Sequence, residues 1–230
     1  MGPIGNAPRV AVVVPAAGLG SRMGGVRKPA IELGARSILA WALAPFLQRS
    51  DVVEVVVAVS PEGAGSLQLP DDPRVTSASG GSSRFDSVAR GLAALSTDAN
   101  IVAVHDAARP FPPPEALARC IEMAAEGSGA VAGVPATDTV KEVDSDGVVV
   151  STPERTSLWY DHTPQVFPRA VLEQAVAACR AAGFEPTDDA GAVEFVGGTV
   201  RMVHGSPRNL KVTYPADVVV ARALMEEGLV

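Results

Sequence analysis

Residues 9–29 read RVAVVVPAAGLGSRMGGVRKP. The opening RVAVVV is a β-branched run without polar alternation, which predicts a strand buried on both faces, central in a parallel sheet. Pro15 stops it. Gly18, Gly20, Gly24 and Gly25 then predict a loop whose backbone comes close to a ligand and turns several N–H groups toward an anion. Arg22 and Lys28 add two cations. Two familiar phosphate loops fail on spacing. A dinucleotide fingerprint needs glycine at position 23, which is Met, and an acid at the end of the second strand, where Ser60 stands. A Walker loop needs Lys-Ser or Lys-Thr after Gly25, where Val26-Arg27 stands. A glycine loop with Arg, Lys and no hydroxyl metal ligand suits a triphosphate held by amides and side-chain cations. The bland reading is a solvated surface turn; the loop's place directly after the first strand weighs against it.

Outward from this stretch, strand and helix patterns alternate. Residues 52–59, 100–104 and 130–134 read as strands, and 37–48, 84–95 and 114–126 as helices. Ser37 is an N-cap, Pro45 a kink point and Pro114 sits at the first helical position. The rhythm breaks at residues 139–152, TVKEVDSDGVVVST, which read as two strands joined by an Asp146-Gly147 turn. Such a ribbon is marginal alone in water, so it is expected to pack against something, a second subunit included. Helices at 168–182, 188–196 and 215–227 and a strand at 199–204 follow. The alternation predicts an α/β fold, doubly wound around a mostly parallel sheet. A single domain over residues 1–230 is expected, interrupted by the ribbon. Ligands in such folds bind outside the carboxyl ends of the strands.

Composition excludes several functions. The 230 residues carry a formal net charge of −7 and only 4% aromatics, so no basic, stacking surface for nucleic acid is expected. Apolar runs fall short of the roughly 18 residues that span a bilayer. The first residues, MGPIGNAPRV, lack a signal-peptide layout, and Asn6 breaks a myristoylation motif. Cys120 and Cys179 have no metal spacing and read as buried thiols. A cytoplasmic, reduced protein is expected.

Four further loops follow strands or cap helices. In VHDAARP (104–110), Asp106 falls at a strand's carboxyl end; one carboxylate beside substrate phosphates is enough for Mg²⁺. Its bland reading is an ion pair to Arg109. His105 reads as a core histidine facing away. In GGSSRFDSV (80–88), Ser82, Ser83, Asp86 and Ser87 cap a helix, and backbone groups with Ser87 can also read a nucleobase edge. Thr139 beside Asp138, and Arg155, stand at the two ends of the hairpin; an Arg beside a hydroxyl suits a phosphate monoester, but for this pair and for the 209–213 loop the bland reading of a solvated strand-end charge is favoured when each is taken alone. Lys211 lies in NLKVT (209–213).

Seven motifs in order, PAAGLGSRMGG…K, GGSSRFDSV, VHDAARP, DTVK, ER…LW…TPQVF, TDDA and NLKVT, cover nearly the whole chain. Together they resemble the 2-C-methyl-D-erythritol 4-phosphate cytidylyltransferases. The resemblance implies a Rossmann-like nucleotidyltransferase fold with a protruding β-arm, inserted at about 138–160, that interlocks two subunits of a homodimer. It also implies transfer of CMP from CTP to 2-C-methyl-D-erythritol 4-phosphate, with Mg²⁺. By the same resemblance, Ala16, Ala17, Gly18, Gly20, Gly81, Ser82 and Ser87 bind CTP, and Arg22, Lys28 and Lys211 are catalytic. Asp106, Arg109, Thr139 and Arg155 face the acceptor, with Asp106 also near the metal. Where the family has Pro-Lys-Gln this chain has Arg27-Lys28-Pro29, which leaves the role of Lys28 open to sharing by Arg27. Where the family has Thr-Asp-Glu-Ala-Ser it has Thr187-Asp188-Asp189-Ala190-Gly191. A pentitol-phosphate cytidylyltransferase, using ribitol 5-phosphate, is the alternative; a non-catalytic nucleotide-binding module is more remote.

Overall fold

A computed structural model describes residues 7–18, 28–61 and 67–230. The RVAVVV stretch forms β1 (Val10–Pro15), whose Val10 to Val14 are all without solvent exposure. It pairs in parallel with β4 (Val52–Val59) on one side and β6 (Ile101–Val104) on the other. β5 (Val75–Ser79) extends β4 in parallel. Beyond β6 come β10 (Trp159–Pro168), β7 (Gly129–Pro135) and β11 (Val200–His204), in the order β11-β7-β10-β6-β1-β4-β5. β10 runs antiparallel to both neighbours, and every other pairing in this sheet is parallel.

Helices cover both faces. Val10, Val12 and Val14 point to α1 (Ile38–Leu47) and α3 (Pro114–Ala125), through Leu39, Leu43, Phe46, Leu117 and Ile121. Val13 points the other way, to α2 (Arg84–Ala93), α4 (Arg169–Ala182) and α5 (Asp189–Phe195). Each buried Val or Leu here contributes roughly 1.5–3 kcal/mol against exposure. Cys120 and Cys179 are free and buried among these contacts. Ser37 caps α1, its Oγ accepting from the Ala40 N–H at 3.2 Å. A third cluster seats α6 (Pro215–Glu226) on the small hairpin β2 (Glu32–Leu33) and β3 (Arg36–Ser37), through Leu33, Ile38, Val212 and Ala221.

Two sheet strands were not legible as strands. β5 reads VTSAS, with a single large apolar residue, because it is a half-exposed edge. β10 reads WYDHTPQVFP, and its prolines and polar residues argue against a central strand. The contradiction resolves at an irregularity in the β10–β7 ladder between Asp161 and Gln165, and pairing to β6 begins only at Gln165. Pro164 therefore sits where no ladder hydrogen bond is needed.

The predicted ribbon is present as β8 (Glu142–Val143) and β9 (Val149–Ser151), a two-stranded sheet outside the main ladder. Gly147 takes φ +80° at its turn. Val143, Val148, Val149 and Val150 are more than half exposed.

Candidate active site

Strand order reverses across β1 and β6, so the crevice opens where these two strands end. A cavity of about 300 Å³ lies there. Pro15, Ala16, Ala17 and Gly18 line it from the first loop, with Lys28 and Pro29 at that loop's far end. Gly81, Ser82, Ser83, Arg84 and Ser87 line it from the start of α2; Asp106, Ala107, Ala108 and Lys211 complete the wall.

Close packing sets these loops. A Cβ at Gly91 would lie 2.5 Å from Val13 Cγ1, so only glycine lets α2 press onto β1. At Gly80 a Cβ would lie 2.5 Å from Ala17 Cβ, so the first loop and the α2 loop touch directly. Ser83 caps α2, accepting from the Asp86 N–H at 3.1 Å. Ser87 Oγ accepts from the Gly81 N–H at 3.0 Å and donates to the Ser83 carbonyl at 2.8 Å. That shapes the loop and leaves one lone pair of the hydroxyl for a ligand. The α2 N-terminus on the wall favours an anion.

Asp106 is 7% exposed. Its Oδ2 accepts from Lys211 Nζ at 2.6 Å and its Oδ1 from Arg84 Nε at 3.0 Å. Burial alone would raise its pKa, but the nearby charges of Arg84 and Lys211 hold the carboxyl far below its usual range. Arg109 Nε is 4.0 Å away, so the pair expected from sequence is the weakest of the three. Lys211 reaches Asp106 because the Val212 N–H donates to the Ala108 carbonyl at 2.8 Å, pinning the 209–213 loop to the 105–110 loop. Arg109 lies behind the cavity wall. It donates to the Asn209 carbonyl at 2.7 Å, while its Nε is buried without a hydrogen bond.

His105 faces the core as expected, with no exposure. Its Nε2 is 3.0 Å from the Arg109 carbonyl, which only a donor can satisfy, so Nδ1 accepts from Thr163 Oγ1 at 3.0 Å. Thr163 Oγ1 in turn accepts the Asp106 N–H at 3.0 Å. Burial, the largest influence, pushes the His105 pKa down to about 4 and keeps the ring neutral. The histidine orients the backbone beneath Asp106.

Lys28, Ala16, Ala17, Gly18, Gly81, Ser82, Ser87, Asp106 and Lys211 thus line one cavity. Gly20, Arg22 and Arg27 lie outside the described residues. Thr139 and Arg155 are exposed and do not line the cavity. Arg155 donates to the Thr137 carbonyl at 2.7 Å, so the segments flanking the two-stranded ribbon are tied together. Sequence reasoning missed Arg84, Asp189, Thr163 and Asn209. Arg84 left a signal: a cation in the first turn of a helix opposes the helix dipole and needs a reason to be there.

Among the described residues no group of three or more His, Cys, Asp or Glu could hold a metal. One carboxylate with spare lone pairs fits a divalent cation carried mainly by substrate phosphates, and does not fit a protein cage.

The model of the 2-C-methyl-D-erythritol 4-phosphate cytidylyltransferase family matches residues 10–227. A protein of that name from Rhodococcus jostii is 46% identical over 226 residues, covering 97% of this chain and 98% of the relative. One from Symbiobacterium thermophilum is 42% identical over 220 residues, covering 95% and 93%. The crystal structure of the Thermus thermophilus enzyme superposes with TM-score 0.79 at 35% identity, covering 94% of this chain and 98% of that one. The 4-diphosphocytidyl-2C-methyl-D-erythritol synthase of Anaerococcus prevotii superposes with TM-score 0.84 at 27% identity, covering 95% and 96%. With the family model matching residues 10–227 and relatives 42–46% identical over nearly their whole length, the chain belongs to the 2-C-methyl-D-erythritol 4-phosphate cytidylyltransferase family.

Proposed function

We infer that the chain transfers CMP from CTP to 2-C-methyl-D-erythritol 4-phosphate, giving 4-diphosphocytidyl-2-C-methyl-D-erythritol and pyrophosphate. The observation that carries this is the cavity at the sheet's reversal point, where a Gly/Ala loop, a helix N-terminus, Lys28 and the Asp106–Lys211 pair converge. Both substrates are phosphate anions, and the wall offers the cations Lys28, Arg84 and Lys211.

An acceptor phosphate oxygen attacks the α-phosphorus in line. The bond to the bridging oxygen breaks, and pyrophosphate leaves with the electron pair. No covalent enzyme intermediate is needed, so the protein's work is positioning and charge neutralisation. Ala16, Ala17, Gly18, Gly20, Gly81, Ser82 and Ser87 hold the nucleotide in this reading. Arg22 and Lys28 take the charge that grows on the β- and γ-phosphates. Lys211 leaves Asp106 for the α-phosphate oxygens, where its charge counts in the transition state. Asp106 faces the acceptor, with Arg109 behind it holding the 209–213 loop on the acceptor side. Thr139 and Arg155 reach the acceptor phosphate of the other subunit, in a homodimer held through the β-arm whose valines lie bare. A divalent cation, Mg²⁺ in this reading, would be held by the triphosphate beside Asp106 and supplies further neutralisation of phosphate charge. Among the described residues no helix is long and apolar enough to cross a membrane, and the cytoplasm is the proposed location.

The test is pyrophosphate release from CTP and Mg²⁺ with 2-C-methyl-D-erythritol 4-phosphate, with ribitol 5-phosphate, and without acceptor. Release with the first alone is expected. Release with ribitol 5-phosphate alone would keep the nucleotide site and overturn the acceptor.

A further inference from the structure

Arg84 joins two buried carboxylates. Its Nε donates to Asp106 Oδ1 at 3.0 Å and its Nη2 to Asp189 Oδ2 at 2.8 Å. Asp189 is 1% exposed and is absent from the cavity wall. Its backbone is tied to the sheet. The N–H groups of Asp189 and Ala190 both donate to Gln165 Oε1, at 3.1 and 3.0 Å. Gln165 is itself fully buried in β10, at the centre of the sheet, and its Nε2 donates to Asp161 and Asp188. Asp188 caps α5 by accepting the Gly191 N–H at 2.8 Å. A chain of fixed groups therefore runs from the sheet through Gln165, Asp189 and Arg84 to Asp106 and Lys211.

Buried ion networks of this kind add little net stability, because desolvation offsets the attraction. Their effect is geometric. The guanidinium fork is planar and rigid, so an Arg84 held at Asp189 presents Nε at a fixed point. That point fixes Asp106 Oδ1 and leaves Oδ2 turned to Lys211 on the cavity wall.

We propose that Asp189 is a positioning residue for the nucleotidyl transfer: through Arg84 it sets the Asp106 carboxylate, and with it the place from which Lys211 reaches the α-phosphate. The role rests on the function given above. Without Asp189, the Nη2 end of Arg84 is released on a wall that faces phosphates. Nucleotide binding then survives while the transition-state geometry does not.

Asp189→Asn should bind CTP by calorimetry with full stoichiometry and wild-type affinity, and turn over about tenfold more slowly, the scale of coupling between contacting charged groups. Arg84→Lys keeps the charge but cannot span both carboxylates, so it should show the same loss in kcat. The double variant should be no slower than the slower single. A purely structural contribution would instead multiply the two losses or reduce the binding stoichiometry. Either result overturns the proposal, as does a wild-type rate in Asp189→Asn. Should that variant fail to fold, Arg84→Lys alone decides, by a loss in kcat at unchanged CTP affinity or by its absence. Wild-type release of pyrophosphate, run alongside, separates failure of this role from failure of the function itself.

Discussion

Glu54 and Asp106 are both carboxylates withdrawn from water, 5% and 7% exposed, and they are held in opposite ways. Glu54, near the start of β4, accepts the N–H and the hydroxyl of both Ser96 and Thr97, at 2.7–3.1 Å. Asp106, past the end of β6, has its carboxylate held by the Lys211 and Arg84 side chains, while its N–H donates to Thr163 and its carbonyl accepts the Arg109 N–H. Burial pushes both pKa values up and the partners more than reverse it, neutral donors at Glu54 and cations at Asp106. Neutral backbone donors cannot leave without local unfolding. A lysine whose side chain is 42% exposed can swing to a better anion at little cost. Saturation by fixed donors marks an acid that holds the fold, and pairing with a movable lysine beside a cavity marks one that serves chemistry.

The largest test of this contrast is Lys211→Ala. Its kcat should fall by about 10²-fold or more, the scale of removing a donor to transition-state charge. Its thermal midpoint should stay near that of the wild type. A variant that unfolds early but turns over normally when folded would invert the comparison. Glu54→Ala should do the reverse. Stranding the donors of Ser96 and Thr97 costs roughly 1–3 kcal/mol each where they stay buried, read from urea unfolding. The turnover of the remaining folded molecules should match the wild type.

Acid sharpens the same contrast. The folded pKa of Glu54 lies below its usual 4.5, so its stabilisation is fully present above that value and is lost as pH falls through the folded pKa. Glu54→Gln keeps the shape and cannot titrate. It should be less stable than wild type at neutral pH, and the gap should close below pH 4.5, measured by unfolding across that range.

The half of the fold that carries the cavity was legible because its signals are local. RVAVVV announces a central strand, the glycines after it announce a loop, and Pro114 and Ser37 announce helix starts. β10 stayed hidden because its polar residues are satisfied only by distant partners. Gln165 needs the N–H groups of Asp189 and Ala190, and Thr163 needs His105 and Asp106. The site was legible in the same measure. Lys28, Asp106 and Lys211 could be named from motifs. Arg84 left only the hint of a cation at a helix start, because its partners are two acids 22 and 105 positions away.

Arg155 is the case between the two acids: a cation fixed by one backbone carbonyl, that of Thr137, yet left exposed on the arm. Arg155→Ala should raise KM for the acceptor about tenfold and leave CTP affinity alone, the pattern of a lost contact to one substrate. A fall in CTP affinity would overturn that assignment. Whether the residue acts in its own subunit or the neighbouring one is settled by mixing. Lys211→Ala and Arg155→Ala chains are each impaired alone. If Arg155 acts across the interface, a mixed dimer contains one site with Lys211 from one chain and Arg155 from the other, and activity returns after the two are unfolded and refolded together. If it acts within its own chain, every site in the mixture lacks one of the two residues and no activity returns. Recovery is the outcome expected of the proposed homodimer, given the exposed valines of the β8–β9 ribbon.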